Sequence, residues 1–232
     1  MSLHLPIRDI IIISLLFLGS VGYAQSDIED INKDEEIGFN KRHKTRQKYA
    51  TFSIGYHNPI TSGDNYFGNA LEGSSGIDFS FQFYIYRQFV LGVSANSSYF
   101  DVKDQTIVGN YKKTTLNEQF LYVGYEFLPT NKLRLGVLVS IIGNARFKNK
   151  FRSQPLAYQI DYGNLGSYGF NIKYEIGRSF MIHIDYAYRT SKTDIKTPLE
   201  IQKTFSRASY HNIGFGLTFT IGSKDMLSRL IE

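Results

Sequence analysis

The chain has 232 residues, a length that suits a single all-β domain, and it contains no cysteine, which excludes structural disulfides, thiolate metal sites and a lipid-anchored cysteine. Aromatic residues make up 15% of the chain, with 17 Tyr, 18 Phe and no Trp, and the 20 Gly complete a composition typical of strands and turns. The formal net charge of +5 favours acidic partners only weakly, and no nucleic-acid-binding motif is present, so nucleic acid is not an expected partner.

Residues 1–24 have the pattern of a cleavable secretory signal peptide. Arg8 supplies the positive start, residues 10–18 form an apolar core, and Gly22 and Ala24 are the small residues of a cleavage site. The apolar run is shorter than the about 20 residues that a membrane-spanning helix needs, so cleavage is favoured over a transmembrane anchor. This pattern predicts export across the inner membrane.

Residues 25–48 show neither strand nor helix periodicity. Their acidic residues come first and their basic residues follow, without an apolar cluster that could build a core. A stretch of this kind predicts a flexible charged segment in the periplasm, and a solvated segment is favoured over an arm that binds a partner.

From Tyr49 onwards, apolar and polar residues alternate in eight segments, and a period of two is typical of β-strands. Short connections are predicted near residues 87–88, 129–131 and 177–179, and long ones at about 57–76, 100–115, 147–162 and 190–205. Short turns that alternate with long loops are typical of barrels that span a membrane. We therefore predict an all-β protein, an eight-stranded antiparallel up-and-down transmembrane β-barrel over residues 49–222, with a short periplasmic tail at 223–232.

The parity of the strands also predicts the register of two hairpins. Phe127 is expected opposite Leu133, and Ile176 opposite Phe180, because outward residues must face outward on both strands. Each pairing implies a three-residue turn, and Asn131 is the residue expected to take the left-handed conformation.

The composition of the two faces favours lipid, rather than a protein core, as the surroundings of the apolar face. The polar faces of strands one, three and eight carry no charge, whereas about a quarter of a soluble surface is charged. An eight-stranded lumen has room only for side chains. Small polar side chains fit into it more easily than the bulky apolar side chains that a soluble barrel would have to place there. Tyrosines recur towards the ends of the apolar faces, as in interfacial girdles: Tyr56, Tyr125, Tyr174, Tyr186 and Tyr188.

The last strand carries the most specific pattern. From Ile213 to Ile221 it alternates without a fault, and four of its residues match the recognition signal of bacterial outer-membrane barrels, a polar residue, a glycine and two apolar positions: Asn212, Gly214, Leu217 and Phe219. With the signal peptide, strand count and loop alternation, the chain resembles the small eight-stranded outer-membrane proteins of the OmpX and OmpA-barrel type. The resemblance covers residues 49–222 and implies a location in the cell outer membrane, reached through the barrel-insertion machinery.

The chain departs from this family at its end. Family members usually finish on an aromatic residue that closes the last strand, but here the chain continues from Gly222 to Glu232. The apolar residues of this stretch favour a short amphipathic turn of helix at the periplasmic face: Met226, Leu227, Leu230 and Ile231.

Strand parity places a charged network inside the barrel, with four acids, three bases and one histidine: Asp78, Glu126, Glu175, Asp185, Arg134, Lys173, Arg189 and His183. Glu126 is expected opposite Arg134, and Lys173 opposite His183. An unpaired charge in a poorly hydrated lumen would be costly, so opposite charges are expected to pair there. The sequence therefore predicts a plugged lumen that does not conduct.

Basic residues cluster in the third and fourth long loops: Arg146, Lys148, Lys150, Arg152, Lys192, Lys196 and Lys203. They form either a solvated charged rim or a set of contacts with the phosphates of lipopolysaccharide, to which Arg and Lys are suited.

Catalytic and metal sites are not predicted. His57 is expected to point inward and His211 outward, so the two cannot share a metal ion. Ser209 and His211 lie on one face but lack a carboxylate to orient the imidazole. The sequence thus favours a monomeric, cofactor-free, non-enzymatic outer-membrane protein with a structural or surface-interaction role. A small transporter of hydrophobic molecules and a lipid A-modifying barrel enzyme stay open as alternatives.

Overall fold

A computed structural model of the protein describes residues 46–153 and 157–231. The predicted signal peptide at 1–24 and residues 25–45 of the predicted charged segment lie outside the described residues. The described strands are β1 Ala50–Thr61, β2 Leu71–Tyr86, β3 Phe89–Val102, β4 Tyr111–Phe127, β5 Leu133–Phe151, β6 Tyr158–Glu175, β7 Phe180–Thr193 and β8 Arg207–Ile221. The described helices are α1 Tyr66–Ala70, α2 Gln105–Val108, α3 Leu199–Phe205 and α4 Met226–Ile231.

The strands close into an antiparallel up-and-down barrel, as predicted. Each strand pairs with the next one along the chain, and β8 pairs with β1. A row of paired residues that leaves β1 at Ala50 passes once around the wall and returns to β1 at Ile60. A stagger of this size tilts the strands by roughly 35–45° and leaves a lumen just wide enough for side chains.

A belt of exposed apolar side chains surrounds the barrel. Its residues include Phe52, Ile54, Phe79, Val93, Val123, Val137, Val139, Phe170, Ile172, Ile182, Ile184, Phe215, Leu217 and Phe219. A soluble monomer rarely exposes an apolar surface of this extent, whereas a transmembrane barrel requires one. The prediction that the apolar faces point outward, towards lipid, is confirmed.

The lipid-facing belt predicts a strong dependence of substitution effects on depth. Val137 is half-exposed on the outward face of β5 within the belt, and Asn144 is exposed on the same strand and face above it. Val137→Lys should destabilise the barrel by about 2–4 kcal/mol, because it places a charge near the bilayer midplane. Asn144→Lys should leave stability nearly unchanged. Urea unfolding in lipid vesicles measures both, and equal effects would contradict a lipid-facing belt.

Glycines make room for large side chains inside the barrel. His57 pairs with Gly76 and Tyr122 with Gly92 across neighbouring strands. A Cβ atom would lie 2.0 Å from His57 Nε2 at position 76 and 2.4 Å from Tyr122 Cζ at position 92. Large residues opposite glycines are a common way to fill a narrow lumen. The glycine content of the chain is therefore partly a consequence of how its interior is packed.

A β-bulge interrupts the alternation of β5. Its neighbour β4 pairs with Ser140 and with Ile142 but skips Ile141, so both isoleucines face outward, 54% and 66% exposed. One extra residue in a strand shifts the alternation above it by one position. As a result Phe147 is buried inside the barrel and Lys148 is exposed outside it. This bulge was not predicted from the sequence.

The turn between β4 and β5 is longer than predicted. Phe127 pairs with Leu135, not with Leu133. Thr130 Oγ1 accepts the backbone N–H of Leu133 at 3.1 Å, and this side-chain bond closes the longer turn. Asn131 does not have the positive φ that was predicted for it. The hairpin between β6 and β7 has its predicted register, since the N–H of Ile176 donates to the carbonyl of Phe180 at 3.1 Å.

The strands continue well into the stretches that were predicted as long loops. The predicted first loop, 57–76, is reduced to 62–70 because β1 reaches Thr61 and β2 begins at Leu71. The third predicted loop, 147–162, is also largely strand. The ladder of backbone hydrogen bonds continues into these stretches. The N–H and C=O groups of one strand bond to those of its neighbour wherever both strands are long enough.

An apolar core fills this outer part of the barrel. Its buried residues are Tyr66, Phe67, Ala70, Leu71, Phe100, Val108, Leu116, Ala145, Phe147, Leu165, Ile195, Phe205, Ala208 and Tyr210. Helix α1 places Tyr66 and Phe67 at the centre of this core, where both side chains are fully buried. Burial raises the pKa of the Tyr66 phenol, which stays neutral and donates a hydrogen bond to Asn149 Oδ1 at 3.4 Å. The outer end of the lumen is thus packed like the core of a soluble domain.

The chain beyond β8 forms the short helix α4, as predicted. Asp225 is buried and caps the helix, since its Oδ1 accepts the N–H of Ser228 at 2.8 Å. Leu227 and Leu230 are exposed on α4. Each helix in the described part of the chain falls short of the length or apolarity that crossing a membrane requires.

Candidate functional site

The charged groups in the lumen form two layers, separated by a polar chamber. The layer nearer the short turns, on the side predicted to face the periplasm, is centred on Glu126, which is 1% exposed. Its Oε2 lies 3.1 Å from Arg134 Nη1, and its Oε1 lies 2.7 Å from Lys173 Nζ. The hydroxyl of Tyr84 and the amide of Gln82 also donate to this carboxylate, at 2.7 and 3.1 Å. A buried charge with four donors is fully satisfied.

Residues that precede β1 extend this layer across the mouth of the barrel at the short turns. Arg134 Nε donates to Glu175 Oε1 at 2.5 Å, and Arg46 Nη2 lies 3.2 Å from the same oxygen. Arg134 also donates to the backbone carbonyl of Arg46. Lys48 Nζ donates to the carbonyl of Arg178 at 2.9 Å. Arg46 and Lys48, which the sequence placed in a flexible segment, therefore contact the barrel.

The second layer lies below the apolar core. Arg189 Nη1 is 2.5 Å from Glu118 Oε2, and the hydroxyl of Tyr210 donates to the same oxygen at 2.8 Å. Strand parity predicts that Arg189 lies in the lumen, but Glu118 and Tyr210 were not predicted as its partners. The signal for Glu118 was available, since it lies on the inward parity of β4 with Glu126. It was missed because the clear alternation of apolar and polar residues in this strand begins only at Leu121.

Between the layers lies a polar chamber with about 90 Å³ of space for water molecules. Asp78, His183 and Asp185 line it, together with several serines and asparagines. His183 Nδ1 is 2.9 Å from Thr218 Oγ1, and His183 Nε2 is 3.7 Å from Asp185 Oδ1. Lys173 pairs with His183 across the ladder, as predicted. Among the eight predicted lumen residues, the two aspartates each have a histidine as their direct neighbour, and not an arginine or a lysine.

His57 joins Asp78 to Ser98 in the order that a hydrolase triad would have. His57 Nδ1 is 3.3 Å from Asp78 Oδ1, and His57 Nε2 is 2.8 Å from Ser98 Oγ. Both His57 and Ser98 are completely buried, however, so a substrate has no access to the hydroxyl. The arrangement orients the imidazole within the packed interior. Sequence analysis predicted that His57 points inward but not these partners.

The outward histidine has a different environment. His211 Nδ1 is 2.7 Å from the hydroxyl of Tyr186, and its ring packs against Tyr186 and Tyr188. His57 and His211 therefore lie on opposite faces of the wall. Within residues 46–153 and 157–231, no group of three or more His, Asp or Glu side chains is arranged to hold a metal ion.

The basic residues predicted to contact lipopolysaccharide divide into two sets. Arg146, Lys148 and Lys150 lie on β5 above the bulge, and Lys192 lies on β7; all four are exposed, and the pairing of the strands turns them outward. Their placement in loops was wrong, because β5 and β7 are longer than predicted. The others lie at the outer tip: Arg152, Lys196 and, on α3, Lys203.

The residues of the predicted recognition signal lie on both faces of β8. Asn212 is fully buried, and Leu217 and Phe219 are exposed on the lipid-facing side. Gly214 pairs with Asp185, and a Cβ atom at position 214 would lie 2.7 Å from Asp185 Oδ1. The glycine thus has a packing role in the folded barrel, and recognition by the insertion machinery stays a prediction.

The wall, belt and interior define a transmembrane β-barrel whose lumen holds buried ion pairs and an apolar core. No family model matches the chain, and no curated protein matches it. Solved structures do match. Neisserial surface protein A, with 10% identity and a TM-score of 0.52, covers 75% of this chain and 96% of its own. OprG of Pseudomonas aeruginosa, with 13% identity and a TM-score of 0.50, covers 78% and 99%. The chain therefore has the fold of small outer-membrane barrels.

Proposed function

We propose that the protein is a non-enzymatic, monomeric component of the cell outer membrane. Its lumen is closed to ions, and its role is structural or involves surface interactions. The observation that carries this proposal is the pair of ion-pair layers around Glu126 and Glu118, with the apolar core above them.

Closure follows from the size of the barrel and from the strength of these contacts. An eight-stranded lumen holds side chains without leaving a channel. The Glu126 carboxylate is bound to Arg134 and Lys173 at once, so an ion would have to break two buried pairs to pass. Phe67 and Tyr210 then fill the outer end.

The outward basic residues support a surface-interaction role. Arg146, Lys148 and Lys192 are exposed on strand extensions above the apolar belt, and our proposal puts the headgroups of the outer leaflet at this level. Arg and Lys bind phosphate groups through charge-assisted hydrogen bonds. Contact with lipopolysaccharide is therefore the interaction that this rim fits best.

Conductance measurement tests the closed lumen. Purified protein in planar bilayers is expected to show no stable channels, because each layer is fully packed. Glu126→Ala combined with Arg134→Ala removes the centre of the periplasmic layer and should give small, unsteady openings. Val137→Ala on the lipid face is the control and should stay silent. Steady, selective conductance by the unaltered protein would contradict the proposal and favour the transporter alternative.

A further inference from the structure

Two cavities on the outer wall of the barrel join into one groove. The lower cavity, of about 510 Å³, is lined by apolar residues that include Phe81, Val93 and Ile142. The upper cavity, of about 670 Å³, is lined by polar residues that include Asn117, Asn164 and Arg146. Ala95, Gln119 and Asn144 line both cavities, so the two are continuous.

Small residues on β3 and the bulge on β5 create this groove. Ala95 and Ser97 are outward residues of β3, and they pair with the larger Phe79 and Ile77 of β2. On the other side Ile142, pushed outward by the bulge, forms a raised edge. A small side chain between bulky neighbours leaves a trough along the wall.

The lining of the groove changes from apolar to polar at the upper edge of the belt. Below this edge Val93 faces lipid, and Phe79 borders both cavities. Above it, the side chains of Asn117 and Ser97 are joined by a hydrogen bond of 3.0 Å and present amide and hydroxyl groups. The occupant of such a groove must itself have an apolar part in the membrane and a polar part above it.

Charged side chains of both signs line the polar end of the groove, and further bases lie beside it. Arg146 lines the groove, and Lys192 pairs with Asn164, which also lines it. Lys148 is the next outward residue of β5. Asp194 is the exposed carboxylate at this end. Arg146 is therefore the base inside the groove and Asp194 its exposed acid, while Lys148 and Lys192 are exposed on the rim beside it.

We propose that this groove binds one molecule of lipopolysaccharide, with an acyl chain along Ala95 and a headgroup phosphate at Arg146. A phosphorylated sugar headgroup is favoured over a glycerol phospholipid, because the groove offers several amide side chains in addition to its base: Asn117, Gln119, Asn144 and Asn164. Sugar hydroxyls can use these donors and acceptors, and a phospholipid headgroup has fewer groups to offer. The inference rests on the proposed contact with lipopolysaccharide and adds a defined site to it.

Native mass spectrometry of the purified barrel in detergent, with added lipid A, tests the groove. Ala95→Phe fills the trough and is expected to lower the affinity for lipid A by about tenfold. Ile184→Phe, on the lipid face of β7, adds a similar volume outside the groove and should leave the affinity unchanged. Gel migration without boiling confirms that each variant is folded, and Ala95→Leu replaces Ala95→Phe if the latter does not fold.

Two further arms separate the groove from the rim. The triple variant Lys148→Gln, Lys150→Gln, Lys192→Gln removes rim charge but keeps the groove. If it lost lipid A while Ala95→Phe kept it, the rim contact would stand and the groove would fall. If unaltered protein bound phosphatidylglycerol as tightly as lipid A, the assignment to a glycolipid would be overturned. Failure of unaltered protein to bind either lipid would remove both the groove and the rim contact.

Discussion

Deleting Leu135 is expected to abolish folding of the barrel, whereas deleting Ile142 from the same strand is expected to leave it folded. Both changes remove one apolar, outward residue of β5. They differ only in their position relative to the bulge. The comparison therefore isolates the contribution of strand parity from that of lost apolar surface.

Ile142 is the residue that the ladder does not need. Without it, Ile141 would face outward, Gly143 inward and Asn144 outward, which is regular alternation. The pairs on either side, Ser140 with Tyr122 and Asn144 with Asn164, keep their register. The loss should be limited to one exposed isoleucine and a change in local twist.

Leu135 has no such compensation. Its removal either turns residues 136–141 over, or pulls Arg134 out of the lumen onto the lipid face. The first outcome forces Val137, Val139 and Ile141 into a filled interior, at a cost of about 1–3 kcal/mol each. The second removes one of the two bases that pair with Glu126 and exposes a guanidinium to lipid.

Migration on gels without boiling distinguishes the outcomes, because a closed barrel resists detergent and runs differently from its boiled form. The variant without Ile142 should shift on boiling, and the variant without Leu135 should not. The same behaviour of both variants would mean that the bulge does not set the orientation of β5.

Glu126→Ala is expected to destabilise the barrel by about 3–5 kcal/mol, the cost of leaving buried charges unpaired. Lys173 would keep only the contact between its Nζ and Gln82 Oε1 at 3.4 Å, and Arg134 would rely on Glu175. Glu126→Gln keeps the shape of the side chain but removes its charge. Its effect on stability therefore measures the electrostatic part of the loss.

The exposed ion pair of Lys113 and Asp101, 3.3 Å apart with both side chains more than half exposed, supplies the matched control. Asp101→Asn should change stability by less than about 1 kcal/mol, because solvent screens an exposed pair. Urea unfolding in lipid vesicles measures all three variants. A loss below about 1 kcal/mol for Glu126→Ala would show that the periplasmic layer does not depend on this carboxylate.

Much of the site was predictable because the alternation fixes which side of the wall a residue faces. Glu126, Arg134 and Lys173 could be placed in the lumen from parity alone, and the structure brings them into contact. Their pairing does not follow the predicted register, since Glu126 lies opposite Gly136. The contact still forms because long side chains reach diagonal neighbours across a ladder.

The second layer, which contains Glu118 and Arg189, was less predictable, because the sequence does not show where a strand leaves the membrane. Above the belt, lipid no longer requires apolar residues on the outward face, so the regular alternation ends while the pairing continues. Glu118 was lost for this reason, and so was the apolar core around Phe67, whose residues come from loops and strand extensions distant in the chain.

The sequence by itself determined that the chain forms a barrel with its apolar faces outward. Lipid tolerates only apolar outward residues, and every strand in the belt must obey that rule. The tertiary structure alone decided the orientation of the upper half of β5. From Leu133 to Ile141 the odd-numbered residues point outward. If this alternation continued unbroken, the even-numbered Lys148 would point into the lumen. A bulge at Ile141 and Ile142 reverses this, because Phe147 gains burial in the outer core and Lys148 gains solvent. That gain involves partners on other strands, which no local pattern contains.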